Sequence, residues 1–545
     1  SRPQRGTPQA MIPDTKRPTS HSGLAKFGSP LVTSPEKQAE YGSLPNASSL
    51  SSKDHSPSML GAIGVDPSTL VLSKKNTEMV MRPMVHTPTL TRVFSRVEPG
   101  SLRGSIFTLS SSAIGAGVLS LPLVMRNTGL ILGGMLCITG AILALFSMNM
   151  LVDTAEVVLF ARGMTGSRAI TYSELVTQIL GEKWGVALEV TLVVYCFGTI
   201  VGYLLVIGKA IGGLCDAMEI GLPSPGFPII LAAFLALPLA LFRDISSLAL
   251  SSMLAICAMI YVCMSITYRG LQAGSLDSIP TPTARIEADF CSSATIVFFA
   301  YNCHVNIFSI YSSLQYPLVS RMKKVTQRAV ALELSLYLCV ASSGYLLFHD
   351  ETKGNILQNF PPSDLLITIG KGGIATALTA SLPLCLHPAR ENFYSLINKC
   401  FSKAERRNND NIKTPLLNGT PNSRLNTPSA ASRQQKKGPA LWFHVLVTLS
   451  MMFGALYLAL NVPGVSIVFS FLGATACIII CYAMPIIMYI SILEHRSILS
   501  SRCTVMIHKL FLWLLLAVLV IVGVISASSS AMQIAMLFRG EEVAT

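Results

Sequence analysis

The chain contains about eleven apolar runs, each near the 20 residues that an α-helix needs to cross the hydrocarbon core of a bilayer. Helices are required there because the backbone has no water to bond with. Only 13% of the 545 residues are charged, against roughly a quarter in soluble domains. The sequence predicts an all-α polytopic membrane protein. Its spans, numbered one to eleven, are expected at 104–125, 129–156, 186–213, 226–242, 245–268, 290–315, 326–348, 364–391, 441–462, 465–493 and 509–536.

Two polar segments, rich in Ser, Pro, Thr and basic residues, lack helical or strand periodicity and are predicted to be disordered. The predicted organisation is a cytoplasmic tail over 1–100, spans one to eight over 101–398, a cytoplasmic loop over 399–440, and spans nine to eleven over 441–545. Ser-Pro and Thr-Pro pairs recur in both polar segments. They are candidate sites for proline-directed kinases, so the tail is expected to bind kinases or other regulators.

The net charge of +13 comes from basic residues between the apolar runs. By the positive-inside rule this pattern predicts a cytoplasmic N-terminus and a C-terminus on the opposite side. Because retention of these loops accounts for the charge, no nucleic-acid partner is expected. The first residues lack the apolar core of a cleavable signal peptide. The thirteen cysteines show no zinc-like spacing, and no nucleophile–base–acid set stands in the polar segments. We expect no enzyme, no metal and no cofactor.

Span one carries residues that weaken helices, in the stretch "SSSAIGAGVLSLP" from Ser110 to Pro122. Gly115 and Gly117 allow the backbone to leave the helix. The freed N–H and C=O groups are tolerated in a membrane only where they are buried or line a wet cavity. The alternative is a small-residue packing face between helices. On this stretch alone, both interpretations stay open.

Span six carries polar residues near its middle: Tyr301, Asn302, His304 and Asn306. Polar groups at that depth are costly and indicate a functional site. Transporters built from two inverted repeats have discontinuous helices at corresponding positions of each half. Spans one to five and six to ten would be these repeats, with span eleven appended. The spacing favours a broken span one, where a helix end can hold a substrate carboxylate.

Four segments at these positions, in this order, resemble the amino acid/auxin permease family of vacuolar, proton-coupled and system A/N neutral amino acid transporters. They are "IGAGVLSLP" with "MRNTG", "FFAYNCHVNIFSIY", "TASLPLCLHPAREN" and "FSFLGATACIIICYAMPIIMY". The resemblance runs from about Gly104 to the end of the chain. It implies the inverted-repeat fold of the amino acid–polyamine–organocation superfamily and an amino acid substrate. The substrate-binding residues that it implies are Ser111, Ser112, Ile114, Gly115, Ala116, Gly117, Phe299, Ala300, Tyr301 and Asn302.

The resemblance also bears on the coupling ion. Sodium-coupled members have an asparagine where Ser111 stands here, and their "CHPE" is "CHVN" at Cys303–Asn306. These differences favour a proton, with His304 as a participant; the alternative is that His304 is a structural hydrogen-bonding residue. Ser111, Thr379 and Ser381 would be the ligands of a sodium ion. A disulfide between Cys215 and Cys291 is implied by the system A/N members, with two free thiols as the alternative.

The predicted function is secondary active amino acid transport by alternating access, coupled to protons, at the plasma membrane or a vacuolar or lysosomal membrane. Three alternatives stay open: an amino-acid sensor of the same fold, a sodium-coupled carrier, and a carrier of organic cations or polyamines. A lone acid deep in span three, six or eight would favour the last of these. We find no acid deep within those spans.

Overall fold

The computed structural model describes residues 100–161, 170–241, 249–273, 284–287, 289–412, 440–462, 464–496 and 502–539. Within these ranges all regular secondary structure is helical. The predicted tail over 1–100 lies outside the described residues except for Gly100. So does most of the predicted loop over 399–440.

The chain forms fifteen described α-helices, joined in places by short 3₁₀ or π segments. They are α1 Leu102–Ala113, α2 Leu121–Thr128, α3 Leu130–Ala161, α4 Tyr172–Leu180, α5 Glu182–Ala217, α6 Phe227–Leu241, α7 Ala249–Gln272, α8 Phe290–Ala300, α9 Ile307–Ser313, α10 Val319–Phe348, α11 Leu365–Ile412, α12 Leu441–Asn461, α13 Val465–Leu472, α14 Met484–Arg496 and α15 Arg502–Phe538. A π-helix, Gly473–Ala483, joins α13 to α14.

Each predicted span falls on a described helix or pair of helices. Span one is α1 with α2, span six is α8 with α9, and span ten is α13, the π-helix and α14. Eight of the described helical segments are long and apolar enough to cross a membrane, and the bent pair in span one makes a ninth. The all-α polytopic prediction is confirmed. The total of eleven stays a prediction, because α6 has only 15 residues and α7 is not among the segments that meet this length and hydropathy test.

The predicted start of the loop at residue 399 is wrong. Helix α11 continues to Ile412, so residues 399–412 are helical rather than disordered. The reason lies in the residues: 399–412 contains no Pro or Gly, and the first helix-breaking residue beyond it is Pro415. Polarity ends a membrane span, but it does not end a helix.

Span six lies at the centre of the bundle. Of the most apolar window of this span, 83% is buried inside the protein, against 28% for span eleven. Span ten approaches it so closely that a Cβ on Gly473 would collide with the carbonyl of Thr295. The hydrophobic effect does not drive membrane helices together, because lipid is as apolar as their side chains. Small residues at the contacts let the backbones approach closely, so that van der Waals packing stabilises the pair.

Ion pairs join neighbouring helices near both faces of the bundle. Lys323 Nζ lies 2.6 Å from Asp153, and Lys399 Nζ lies 2.9 Å from Glu189. At the opposite face, Arg269 Nε lies 2.8 Å from the carboxylate of Asp364. Burial raises the pKa of Asp364, but hydrogen bonds from Arg269 and from the Ile367 amide bring that pKa below its usual value. The stabilisation from this pair is therefore present at neutral pH and is lost as the pH falls through the folded-state pKa.

The contact at Gly473 gives a test of the packing. Gly473→Ala should destabilise the folded protein by about 1–3 kcal/mol, the usual cost of overpacking, because the neighbour is backbone and cannot rotate away. The thermal unfolding temperature in detergent measures this. The matched control is Gly134→Ala in α3, where an added Cβ meets no atom within 4 Å. An equal effect of both substitutions would contradict the close contact between spans six and ten.

Candidate functional site

Span one is broken where the sequence predicts. Helix α1 ends at Ala113, Ile114 and Gly115 are not helical, and a 3₁₀ turn over Ala116–Ser120 leads into α2. The two parts of the span differ in direction by 49°. A Cβ on Gly115 would lie 2.8 Å from the Tyr203 hydroxyl of span three. Glycine is needed here because it lets this side chain approach the opened backbone.

Span six is broken at the corresponding place. Helix α8 ends at Ala300, and a 3₁₀ turn over His304–Asn306 precedes α9. Two side chains from other spans bond to this break. The Tyr337 hydroxyl of span seven donates to the Ala300 carbonyl at 2.8 Å, and Asn302 Nδ2 donates to Cys477 Sγ of span ten at 3.4 Å. These contacts provide partners for polar groups that the bilayer would leave unbonded.

The two breaks meet. A Cβ on Gly117 would lie 3.1 Å from Phe299 Cδ1 and 3.3 Å from Ala300 Cα. The Phe299 ring also stacks on Phe469 of span ten, with centroids 4.3 Å apart and 13° between planes. Three of the predicted substrate-binding residues (Gly117, Phe299 and Ala300) therefore lie together.

The other predicted substrate-binding residues differ in their surroundings. The hydroxyls of Ser111 and Ser112 donate to carbonyls of their own helix, those of Thr108 and Leu109. Ile114 and Ala116 are buried at the break. Tyr301 packs on Tyr337, with centroids 4.9 Å apart, and so faces span seven. The place of all these residues in substrate binding stays a prediction.

The predicted coupling residues fall into two groups. His304 is fully buried, and its Nε2 lies 2.7 Å from Ser147 Oγ of span two. Ser111 and Ser381 line one cavity of about 10 Å³, which is near the lower limit for a single water. The Thr379 hydroxyl donates to the Ala375 carbonyl, and Thr379 does not line that cavity. The structure thus brings Ser111 and Ser381 together.

The two candidate disulfide cysteines, Cys215 and Cys291, are both half-buried free thiols. Two free thiols were the alternative to a disulfide in the sequence analysis. A bridge between them stays a prediction.

A cavity of about 460 Å³ opens at the face of the bundle where α2 ends, and we call it the vestibule. Its wall includes Ile296 and Ser470. Phe299 lies one helical turn beyond Ile296, and Phe469 directly precedes Ser470. The two residues that carry the stacked rings are therefore close in sequence to vestibule residues, although the rings themselves do not line this cavity. Charged residues of both signs line the vestibule: Arg126, Lys209, Asp289, Asp350, Glu351 and Lys353.

Several buried polar atoms around span six have no hydrogen-bond partner among the described residues, although most buried polar groups in proteins are bonded. These atoms are Tyr301 Oη, Asn302 Oδ1, His304 Nδ1, both carboxylate oxygens of Glu333, and Tyr482 Oη. The sequence analysis did not select Glu333, which belongs to span seven. Glu333 is visible in the sequence as the one acidic residue within the apolar stretch "AVALELSLYLCV".

Sequence reasoning also missed the side chains that surround the breaks, namely Tyr203, Tyr337 and Phe469. Each lies in an apolar span, where an aromatic residue is ordinary. Only the folded arrangement shows which aromatic residues face the breaks.

Residues 98–529 match the family described as transmembrane amino acid transporter protein. A putative amino acid transporter, AAT1 of Toxoplasma gondii, is 28% identical over 61% of this chain, and the match spans only 46% of that relative. Vacuolar amino acid transporter 2 of Saccharomyces cerevisiae is 23% identical, over 71% of this chain and 75% of its own. Sodium-coupled neutral amino acid transporter 7 of Xenopus laevis is 25% identical, over 80% of this chain and 92% of its own.

The family match covers nearly all of the described helices, including both broken spans. It agrees with the resemblance carried by the motifs at those breaks. The chain belongs to the transmembrane amino acid transporter family.

Proposed function

We propose that this protein is a secondary active transporter that moves amino acids across a membrane by alternating access and couples the transport to protons. The observation that carries the proposal is the meeting of two broken helices at Gly117, Phe299 and Ala300. Its relatives are named as transporters, and the proposal likewise makes this chain a carrier rather than an enzyme.

The breaks offer the groups that an amino acid needs. The 3₁₀ turn that leads into α2 begins at Ala116 with no side-chain cap, so its first N–H groups and partial positive charge suit a carboxylate. Helices α1 and α8 end at Ala113 and Ala300, and helix C-termini suit the ammonium group. Phe299 would then cover the substrate's side chain. An amino acid could in this way be held by backbone groups while its side chain is selected by neighbouring residues.

The vestibule supports alternating access. It opens at one face of the bundle, and its wall includes Ile296 of span six and Ser470 of span ten, which neighbour the stacked Phe299 and Phe469 in the sequence. At the other face, the pair between Asp153 and Lys323 joins the end of span two to the start of span seven. In the proposed cycle, the vestibule closes and a path opens past that second face.

Two observations support a proton as the coupling ion. The cavity between Ser111 and Ser381 is narrow, and both hydroxyls donate to their own helices. By contrast, ionisable side chains are fully buried near the break of span six, where His304 is one of them. The name of the Xenopus relative includes sodium coupling, so the ion has to be tested directly.

We further propose that the N-terminus is cytoplasmic and that the protein works in a vacuolar, lysosomal or plasma membrane. The basic segments between spans support the orientation. Several relatives are named as vacuolar. The kinases or regulators expected to bind the tail would act on residues outside the described ranges.

Transport itself is tested by counterflow of labelled amino acids in proteoliposomes. Gly117→Leu should lower exchange tenfold or more, equivalent to about 1.4 kcal/mol or more, because a large side chain would fill the contact with Phe299. Gly134→Leu is the control, since an added Cβ there meets no atom within 4 Å. Normal exchange by the Gly117 variant would contradict the proposed site. Binding without any exchange in the unmodified protein would indicate a sensor.

The aromatic stack gives a test of selectivity. Phe469→Ala removes a fully buried ring that stacks on Phe299, so uptake of bulky amino acids should rise relative to that of small ones. Competition by a panel of unlabelled amino acids measures the change. Phe453→Ala is the control, because Phe453 is 61% exposed on span nine. If the unlabelled amino acids compete in the same order of strength in both variants, the substrate does not lie at the stack.

The coupling ion is tested in sodium-free buffer. A proton gradient directed into the vesicles should raise the internal amino acid concentration above the external one. A protonophore, which collapses the gradient, should abolish this accumulation. A strict requirement for sodium would contradict proton coupling and would favour the sodium-coupled alternative.

A further inference from the structure

We propose that the carboxyl group of Glu333 is the site that carries the coupled proton. This inference rests on the proposed function, and it assigns the proton to one group in span seven. Glu333 stands in α10, fully buried, and nothing in the family resemblance pointed to it.

The first argument is the lack of a partner. Glu333 is a fully buried carboxyl group, and neither of its oxygens has a hydrogen-bond partner among the described residues. An ionised carboxylate is very costly in such a place, whereas a neutral carboxylic acid is tolerated. The group therefore holds a proton in this state. It can give that proton up only when its surroundings change.

The second argument is a contrast with Glu189, a second buried acid among the described residues. Glu189 of span three is 2% exposed, but its carboxylate accepts hydrogen bonds from Lys399 and Ser395 at 2.9 Å. That arrangement supplies the hydrogen-bonded, oppositely charged partner that a buried carboxylate requires. Glu333 lacks it, which suits a group that alternates between its two protonation states.

The third argument is the location. Glu333 lies within electrostatic range of Tyr301 and Cys303, both in the break of span six. Tyr337 stands one helical turn further along α10, on the same face as Glu333, and its hydroxyl donates to the Ala300 carbonyl in that break. A movement of span six relative to span seven must break this bond. The same movement changes the surroundings of Glu333, so the proton is linked to the substrate site.

Among the described residues, the titratable groups that lie within electrostatic range of Glu333 are neutral ones. They are Tyr301 and Cys303 from span six and Tyr337 from its own helix. On span two, Cys137 lies close to Tyr301. Charged residues of the neighbouring helices stand at helix ends, as in the pairs of Asp153 with Lys323 and of Arg269 with Asp364.

In the proposed step, the carboxylate takes a proton from the side on which the amino acid enters, which gives the neutral acid seen here. After the bundle reopens on the other side, the O–H bond breaks and the proton leaves to that solution. One proton crosses with each amino acid, and no other reactant is needed.

The test compares two measurements on Glu333→Gln in proteoliposomes. The amide keeps the shape of the neutral acid but cannot release a proton. Counterflow of labelled amino acid should therefore persist, while accumulation driven by a pH gradient should fall to the level seen without a gradient. A pH-sensitive dye inside the vesicles should also lose its response to added amino acid. Glu333→Asp, which keeps a carboxyl group, should retain part of the driven uptake.

Glu189→Gln is the matched control, because Glu189 is a buried carboxyl group that already has partners. The ratio of gradient-driven uptake to counterflow in this variant should equal the ratio in the unmodified protein. The inference is overturned if Glu333→Gln keeps its driven uptake, or if it loses counterflow and driven uptake together while eluting as a monodisperse species. It is also overturned if only His304→Gln loses the driven component. Absence of counterflow in the unmodified protein would instead refute the proposed transport function.

Discussion

The structure depends on one constraint, which is that backbone N–H and C=O groups in a membrane must find partners within the protein. Ordinary spans meet it with their own helical bonds. Spans one and six do not, and their breaks are possible because other spans surround them. The Tyr337 hydroxyl bonds the Ala300 carbonyl, and the Asn302 amide bonds Cys477. The central position of span six, with 83% of its window buried, follows from the same need. A break at the lipid surface could not be sustained.

The same constraint explains how much of the molecule was predictable from its sequence. Long apolar runs admit only helices, so the spans and their order follow from hydropathy. The breaks follow from residues that are out of place in such runs: Gly115 and Gly117 in span one, and Asn302 in span six. The end of α11 was not predictable in this way. Hydropathy marks where a helix leaves the bilayer, and it carries no information about a polar helix that continues beyond it.

The surroundings of the site were also beyond sequence reasoning, for a different reason. Tyr203, Tyr337 and Phe469 are ordinary members of apolar helices, and their roles depend on which way each helix is turned. Helix rotation is set by packing against neighbours, here through contacts such as Gly473 against Thr295. Glu333 is an intermediate case. An acid in an apolar run is visible in the sequence, but whether it has a partner, as Glu189 has in Lys399, is seen only in the folded protein.

Helix α11 has a geometric consequence outside the bilayer. Its 48 residues correspond to about 72 Å at a rise of 1.5 Å per residue, against about 30 Å for the hydrocarbon core. Even with a strong tilt, such a helix extends well past the headgroups at its C-terminal end. The C-terminal end of α11 is therefore a polar extension of a membrane span, and the helix itself continues where the apolar residues have ended.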